Sequence, residues 1–352
     1  MFNAETASAL LTRDIIRRST IIVAFLGIGL FVLPSILGGD WIKTLTGVAI
    51  YSVVAAGLVT LYGKVGMISL GQIAILAIGT WTATRIAYAT EIPFPLLLLI
   101  TGVITCAVGV LIGLPALRLS GLYLALITLM AAGAVSVVLT TIDFPNGGGG
   151  FTGHTSAVDL SGLEPVPRPD IAEGDTAYYR YVLIVCALMF LLIAAHFASK
   201  PGRAWASIRE SEPAALAAGV NIVRYKLWAF ALASFTTGVA GGLLAAQLGR
   251  PSVYGFPTQQ SLTLLAAALI GGIYSLWGAV VAGAFSQLAP YLFQAQWGID
   301  PNYLLIIFGV GLLQVLLTAP GGIVVQMPKD VANLVRLILR LYRRVATPRG
   351  AT

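Results

Sequence analysis

Apolar residues in this chain come in long, nearly uninterrupted blocks, at about 20–37, 44–62, 66–85, 93–113, 120–141, 179–198, 227–248, 259–274, 277–294 and 302–319. Blocks of roughly 17 to 25 residues match the length at which a helix crosses a hydrocarbon core of about 30 Å. A helix is also the form in which such a segment pairs its own backbone N–H and C=O groups away from water. The pattern predicts an all-α, polytopic helical membrane protein with about ten spans. The third block opens with Gly66-Met67-Ile68-Ser69-Leu70-Gly71-Gln72, polar and glycine-rich enough to predict a broken or re-entrant helix covered by protein or water. The eighth and ninth blocks meet at Gly271-Gly272-Ile273-Tyr274-Ser275-Leu276-Trp277-Gly278, which predicts a short interfacial turn.

Charge placement sets the layout. Of 352 residues, 58% are hydrophobic and 10% charged, and the mean hydropathy is +0.90, which excludes an ordinary soluble domain. The 39 glycines suit close helix–helix contact in lipid. A net charge of +7 does not indicate nucleic acid, because the basic residues lie between the apolar blocks. Residues 1–19 carry Arg13, Arg17 and Arg18, residues 199–226 carry Lys200, Arg203, Arg209, Arg224 and Lys226, and residues 327–352 carry six more. Residues 142–178 carry Arg168 against Asp143, Asp159, Glu164, Asp170, Glu173 and Asp175. Cationic connections stay inside, so both termini and the 199–226 loop are expected in the cytoplasm and 142–178 outside. The N-terminal apolar run is long for a signal peptide and is read as an uncleaved first span. The domains are then a cytoplasmic segment 1–19, a transmembrane domain 20–326 and a tail 327–352. In the tail, Leu334, Val335, Ile338, Leu341 and Tyr342 repeat at helical spacing between arginines, the pattern of a basic amphipathic helix on the inner leaflet.

The spans lack the groups that usually carry chemistry. Lys64, Arg85, Arg118 and Arg180 fall at predicted span ends, and His196 lies near one. A proton-driven transporter needs a buried ionisable relay, so energy is expected from another subunit, although sodium coupling through backbone carbonyls stays open. Gly148-Gly149-Gly150-Phe151-Thr152-Gly153 matches a dinucleotide fingerprint without the strand that gives it meaning, and Gly63-Lys64 lacks phosphate-loop spacing. Cys106 and Cys186 sit inside spans, and His154 and His196 have no acidic or thiol neighbours in sequence. No catalytic residue, metal site or cofactor is expected in this chain.

The 199–226 loop is the informative connection. From Gly202 to Asn221 it reads as two short helices, the second opened by Pro213, capped or complemented by Ser211 or Glu212, and closed by Gly219. The alanine-rich turn between these signals would let a partner surface approach closely. A surface connector with no further role explains the loop alone equally well.

Together with Arg224-Tyr225-Lys226-Leu227-Trp228-Ala229-Phe230, this loop resembles the coupling segment of the branched-chain amino acid permease family, membrane subunits of ATP-binding-cassette importers, and in particular its M-type branch. Gly63 to Gln72, Leu117-Arg118-Leu119-Ser120-Gly121-Leu122-Tyr123 and Gly271 to Gly278 resemble further family motifs in the same order, over residues 40–320. The resemblance implies a bacterial inner-membrane protein paired with a second, H-type permease. It also implies two ATPase subunits that bind ATP and Mg²⁺, and an external solute-binding protein. It places the ATPase docking surface on Gly202, Arg203, Ile208, Arg209, Glu210, Glu212, Pro213, Ala215 and Gly219, with Arg203, Arg209, Glu210 and Glu212 as polar contacts. Two departures, Met130-Ala131-Ala132-Gly133-Ala134 where relatives often carry an acid and Asn146 to Gly153 where they often show Thr-Gly-Gly, bear on the choice of solute.

Ser69, Gln72, Thr128, Gln247 and Gln259 are polar residues within or at the ends of spans. They are candidates to line a translocation pathway, and interhelical hydrogen bonding accounts for them as well. Two other readings stay open: a self-sufficient channel or secondary transporter, favoured by the broken helix and disfavoured by the charge-free spans, and a membrane enzyme, disfavoured by the missing catalytic grouping.

Overall fold

The computed structural model describes residues 26–117, 121–142, 165–252, 255–296 and 302–318, with 24, 119, 298, 321–324 and 326. Within these residues each expected apolar block holds a helix, and no strand occurs. The segment 1–19, Arg118, Ser120, most of the 142–178 connection and the tail lie outside the described residues.

A π-helical turn at Ile28–Val32 runs into α1 (Leu33–Ile36), and α2 (Gly39–Leu58) continues as a π-helix over Val59–Val65. Then come α3 (Gln72–Ala89), α4 (Phe94–Gly113), α5 (Gly121–Thr141) and α6 (Asp175–Ala198). The loop holds α7 (Lys200–Glu210) and α8 (Glu212–Ala217). The chain closes with α9 (Ile222–Leu248), α10 (Gln260–Gly271), α11 (Leu276–Tyr291) and α12 (Asn302–Thr318). By length and composition, 6 helices among the described residues suffice to cross a membrane: α2 with its π extension, α4, α5, α6, α9 and α11 with its continuation. The other expected spans are helical but shorter or less apolar.

Helix α9 is the axis of the bundle, packed on α4, α3 and α2, while α2 also carries α11 and α6. Small residues make this possible. A Cβ on Gly238 would overlap the Thr105 hydroxyl oxygen, and one on Gly241 would stand 2.8 Å from the Leu76 carbonyl oxygen. Contact at that range brings helix backbones together, the main source of packing energy where lipid removes the hydrophobic drive between helices.

Three details refine the sequence expectation. The third helix begins at Gln72, because Gly66 at φ 85° ends the preceding π-helix, where Gly66 and Met67 N–H close onto Tyr62 and Leu61 carbonyls at 3.1 and 2.9 Å. Residues 66–71 that follow are not helical, and Met67 and Ser69–Gly71 are buried, which is the expected broken helix. Arg85 is not at a helix end: α3 continues to Ala89, and Arg85 is buried with its guanidinium 5.2 Å from the Tyr88 ring centroid. Helix α6 begins at Asp175, whose carboxylate accepts from Arg168 at 2.8 Å and lies 3.7 Å from Lys43.

Candidate functional site

The α7–α8 hairpin is short, yet it is anchored at three points. Trp205 is fully buried, donates from Nε1 to the Tyr225 carbonyl at 2.8 Å, and meets Phe197 edge to face. Ile208 and Ala215 are buried on the same inner side. Gly202 is required there, since a Cβ would overlap the Phe197 carbonyl oxygen. Lys226, at the base of α9, is buried and reaches Glu212 at 2.6 Å. A lone ammonium in that position would be costly, so Glu212 compensates it and pins the start of α8. Third, Arg209 donates from Nη1 to the Gly63 carbonyl at 2.7 Å, and its guanidinium carbon lies 4.4 Å from the Tyr274 ring centroid.

The local chemistry of α8 follows the sequence signals. Ser211 Oγ accepts from the Ala214 N–H at 3.4 Å, Pro213 occupies the first turn, and Gly219 takes the left-handed position at φ 80° after the helix. The outward side presents Arg203, Glu210, Pro213, Ala214, Ala217 and Gly219, with Leu216 63% exposed as its one large apolar side chain. Of the four polar residues expected to face a partner, Arg203, Glu210 and Arg209 are exposed, but Arg209 bonds back to the Gly63 carbonyl, and the half-exposed Glu212 is paired with Lys226.

A second constellation lies at the start of α3. Ser69, Gln72 and Thr128 are all buried, and each bonds at or beside the break before that helix. Thr128 Oγ1 accepts from the Leu70 N–H at 2.9 Å, Ser69 Oγ accepts from the Gly71 N–H at 3.4 Å, and Gln72 Oε1 accepts from the Thr237 hydroxyl at 2.9 Å. Side-chain oxygens thus replace the backbone partners that an unwound stretch loses. The Gln72 Nε2 group is buried without a hydrogen-bond partner among the described residues. Gln247 and Gln259 lie apart from this cluster. Gln247 donates to the Lys43 carbonyl at 2.9 Å, and Gln259 is exposed at the N-terminus of α10.

Sequence reasoning missed Thr237, Trp205 and Tyr274. Thr237 belongs to the polar run Ser234-Phe235-Thr236-Thr237 in an otherwise apolar span, and Trp205 is the one aromatic between Gly202 and Asn221; both were visible signals. Tyr274 gains its place only through the fold.

A helical bundle with a buried break in one helix and an anchored interhelical hairpin is the architecture of a polytopic membrane protein. A family model described as the branched-chain amino acid transport system / permease component matches residues 41–316, and the chain belongs to that family. It is similar to the high-affinity branched-chain amino acid transport system permease protein LivM of Salmonella typhimurium, 27% identical over 307 residues, covering 82% of this chain and 71% of the relative. The LivM protein of Escherichia coli is 30% identical over 257 residues, covering 68% of this chain and 60% of that relative. No solved structure matches. Membership makes the chain a multi-pass inner-membrane permease subunit of an ATP-binding-cassette importer, a transport subunit working with others rather than an enzyme.

Proposed function

We propose that this chain forms one half of the translocation pathway for a branched-chain amino acid or a closely related small solute, beside a second, H-type permease. Two ATPase subunits holding ATP and Mg²⁺ dock on the α7–α8 hairpin, which then lies in the cytoplasm with both termini, and a solute-binding protein delivers from outside. No cofactor is assigned to this chain. The observation that carries the reading is the hairpin itself: anchored through Trp205, Lys226 and Arg209, yet presenting a face of small residues around exposed Leu216. A rigid element with a small-residue face is what a partner needs in order to grip and move it. Ser69, Gln72, Thr128 and Thr237 gather at the break before α3 and are the assigned pathway group; Gln247 and Gln259 stand apart from it.

The test is co-purification and solute uptake by the complete set of subunits in proteoliposomes, with Leu216→Asp in the exposed face. Wild-type uptake of leucine or valine driven by ATP, together with loss of the ATPase from the variant, is the expected result. Uptake by this chain alone without an ATPase would overturn the reading in favour of a channel.

A further inference from the structure

Arg209 is exposed on the hairpin, yet its guanidinium reaches back to the bundle. Its guanidinium donates to the Gly63 carbonyl and covers the Tyr274 ring, and its Cγ would lie 3.3 Å from a Cβ placed on Gly66. Each contact falls at a discontinuity. Gly63 is in the π-helical end of α2, and Gly66 begins the unwound stretch 66–71. Tyr274 is in the non-helical turn between α10 and α11, where Gly272 has φ 116°. The two discontinuities also touch each other, because a Cβ on Gly63 would overlap the Ile273 carbonyl oxygen, and Tyr62 stacks on Tyr274 with ring centroids 6.4 Å apart.

We propose that Arg209 is the positioning residue that carries displacement of the α7–α8 hairpin into the bundle, acting on the unwound stretch before α3 and on the Gly271–Ser275 turn together. The inference rests on the reading that an ATPase moves this hairpin. Trp205 and Lys226 tie the hairpin to the base of α9, a continuous helix that moves as a rod. Arg209 ties it to the last, π-helical turn before one break in the helices and to the non-helical turn that forms the other. There a small shift changes φ and ψ instead of translating a whole rod. The stretch beyond Gly66 leads within six residues to Gln72, so movement at Gly63 reaches the group of Ser69, Gln72, Thr128 and Thr237. Arginine suits this role because a planar cation can donate to a carbonyl at a helix end while lying on an aromatic face, which an ammonium does poorly.

The measurement is solute transported per ATP hydrolysed by the full importer in proteoliposomes, for wild type, Arg209→Ala, Arg209→Lys, Tyr274→Leu and, on the exposed face of α6, Leu188→Ala. A ratio does not depend on how much protein folds, so a purely structural defect leaves it unchanged. The expected result is a ratio at least tenfold lower in Arg209→Ala with the ATPase still co-purifying. A smaller fall is expected in Arg209→Lys and Tyr274→Leu, and a wild-type ratio in Leu188→Ala. If Arg209→Ala yields no folded permease, the Lys and Tyr274 variants decide, and a wild-type ratio in both overturns the proposal. Loss of the ATPase from a folded Arg209→Ala chain would make the residue a docking contact and overturn it too, as would an equal fall in Leu188→Ala. A wild-type chain that binds no ATPase fails the underlying reading, and the inference with it.

Discussion

Helices α9 and α6 are both long and apolar, yet 89% of the apolar stretch of α9 is buried and only 17% of that of α6. Hydrophobicity does not explain this, since the buried helix is the less apolar of the two, with a mean hydropathy of 1.6 against 2.5. Side-chain size does. Helix α9 presents Ala229, Ala233, Gly238, Ala240, Gly241, Ala245 and Ala246 to its neighbours, and threonines and a serine fit between them. Helix α6 presents Ile184, Leu188 and Leu191 outward. In lipid a large apolar side chain is as well placed facing the tails as facing another helix, so the position at the centre goes to the helix that can be approached most closely.

The contrast is most easily broken at the α9 glycines. Gly241→Leu would drive a side chain into the backbone of α3. A Cβ there would stand 2.8 Å from both the Leu76 carbonyl oxygen and the Thr80 nitrogen, and neither can move aside alone. We expect a loss of at least about 3 kcal/mol, the upper end for overpacking, seen as loss of a monodisperse, thermally cooperative protein in detergent. Next is the base of the same helix. Glu212→Ala leaves the Lys226 ammonium buried without its carboxylate and is expected to cost roughly 1–3 kcal/mol. Lys226→Met should cost less in the same thermal melt, because the Glu212 it releases is half exposed. Thr237→Val removes one interhelical hydrogen bond to Gln72 and should cost about 0.6 kcal/mol, the average for such bonds in membrane bundles. Smallest is Leu188→Ala on the exposed face of α6, expected to change stability by less than about 0.5 kcal/mol. An effect of Leu188→Ala as large as that of Gly241→Leu would show that α6 is packed against protein and would end the contrast.

Much of this was legible in the residues. Block length fixed where helices form, and Pro213, Ser211 and Gly219 announced α8 because caps and turns act within a few residues of chain. The break at Gly66 to Gly71 was legible for the same local reason. What could not be read was which polar groups meet: Gln72 finds Thr237 at a separation of 165 residues and Arg209 finds Gly63 at 146. Nothing in the sequence near Arg209 or Glu212 distinguishes a charge paired within the chain from one left unpaired at the surface. Gln247 and Gln259 looked equal to Gln72 as polar residues at apolar blocks, and only packing separates them.

The π-helical stretch Val59–Val65 alters how related sequences line up with this one. A π-helix spends more residues on each turn than an α-helix does, so crossing it shifts the phase of everything beyond. Projecting the helical wheel of Gly39–Leu58 forward would misplace Gly63 by about one residue, roughly 100° around the axis. It would turn the residue away from the Ile273 carbonyl it actually abuts. Against a regular α-helix, an alignment without a gap therefore compares different faces beyond this stretch, whereas a single-residue gap inside it keeps the faces matched on both sides.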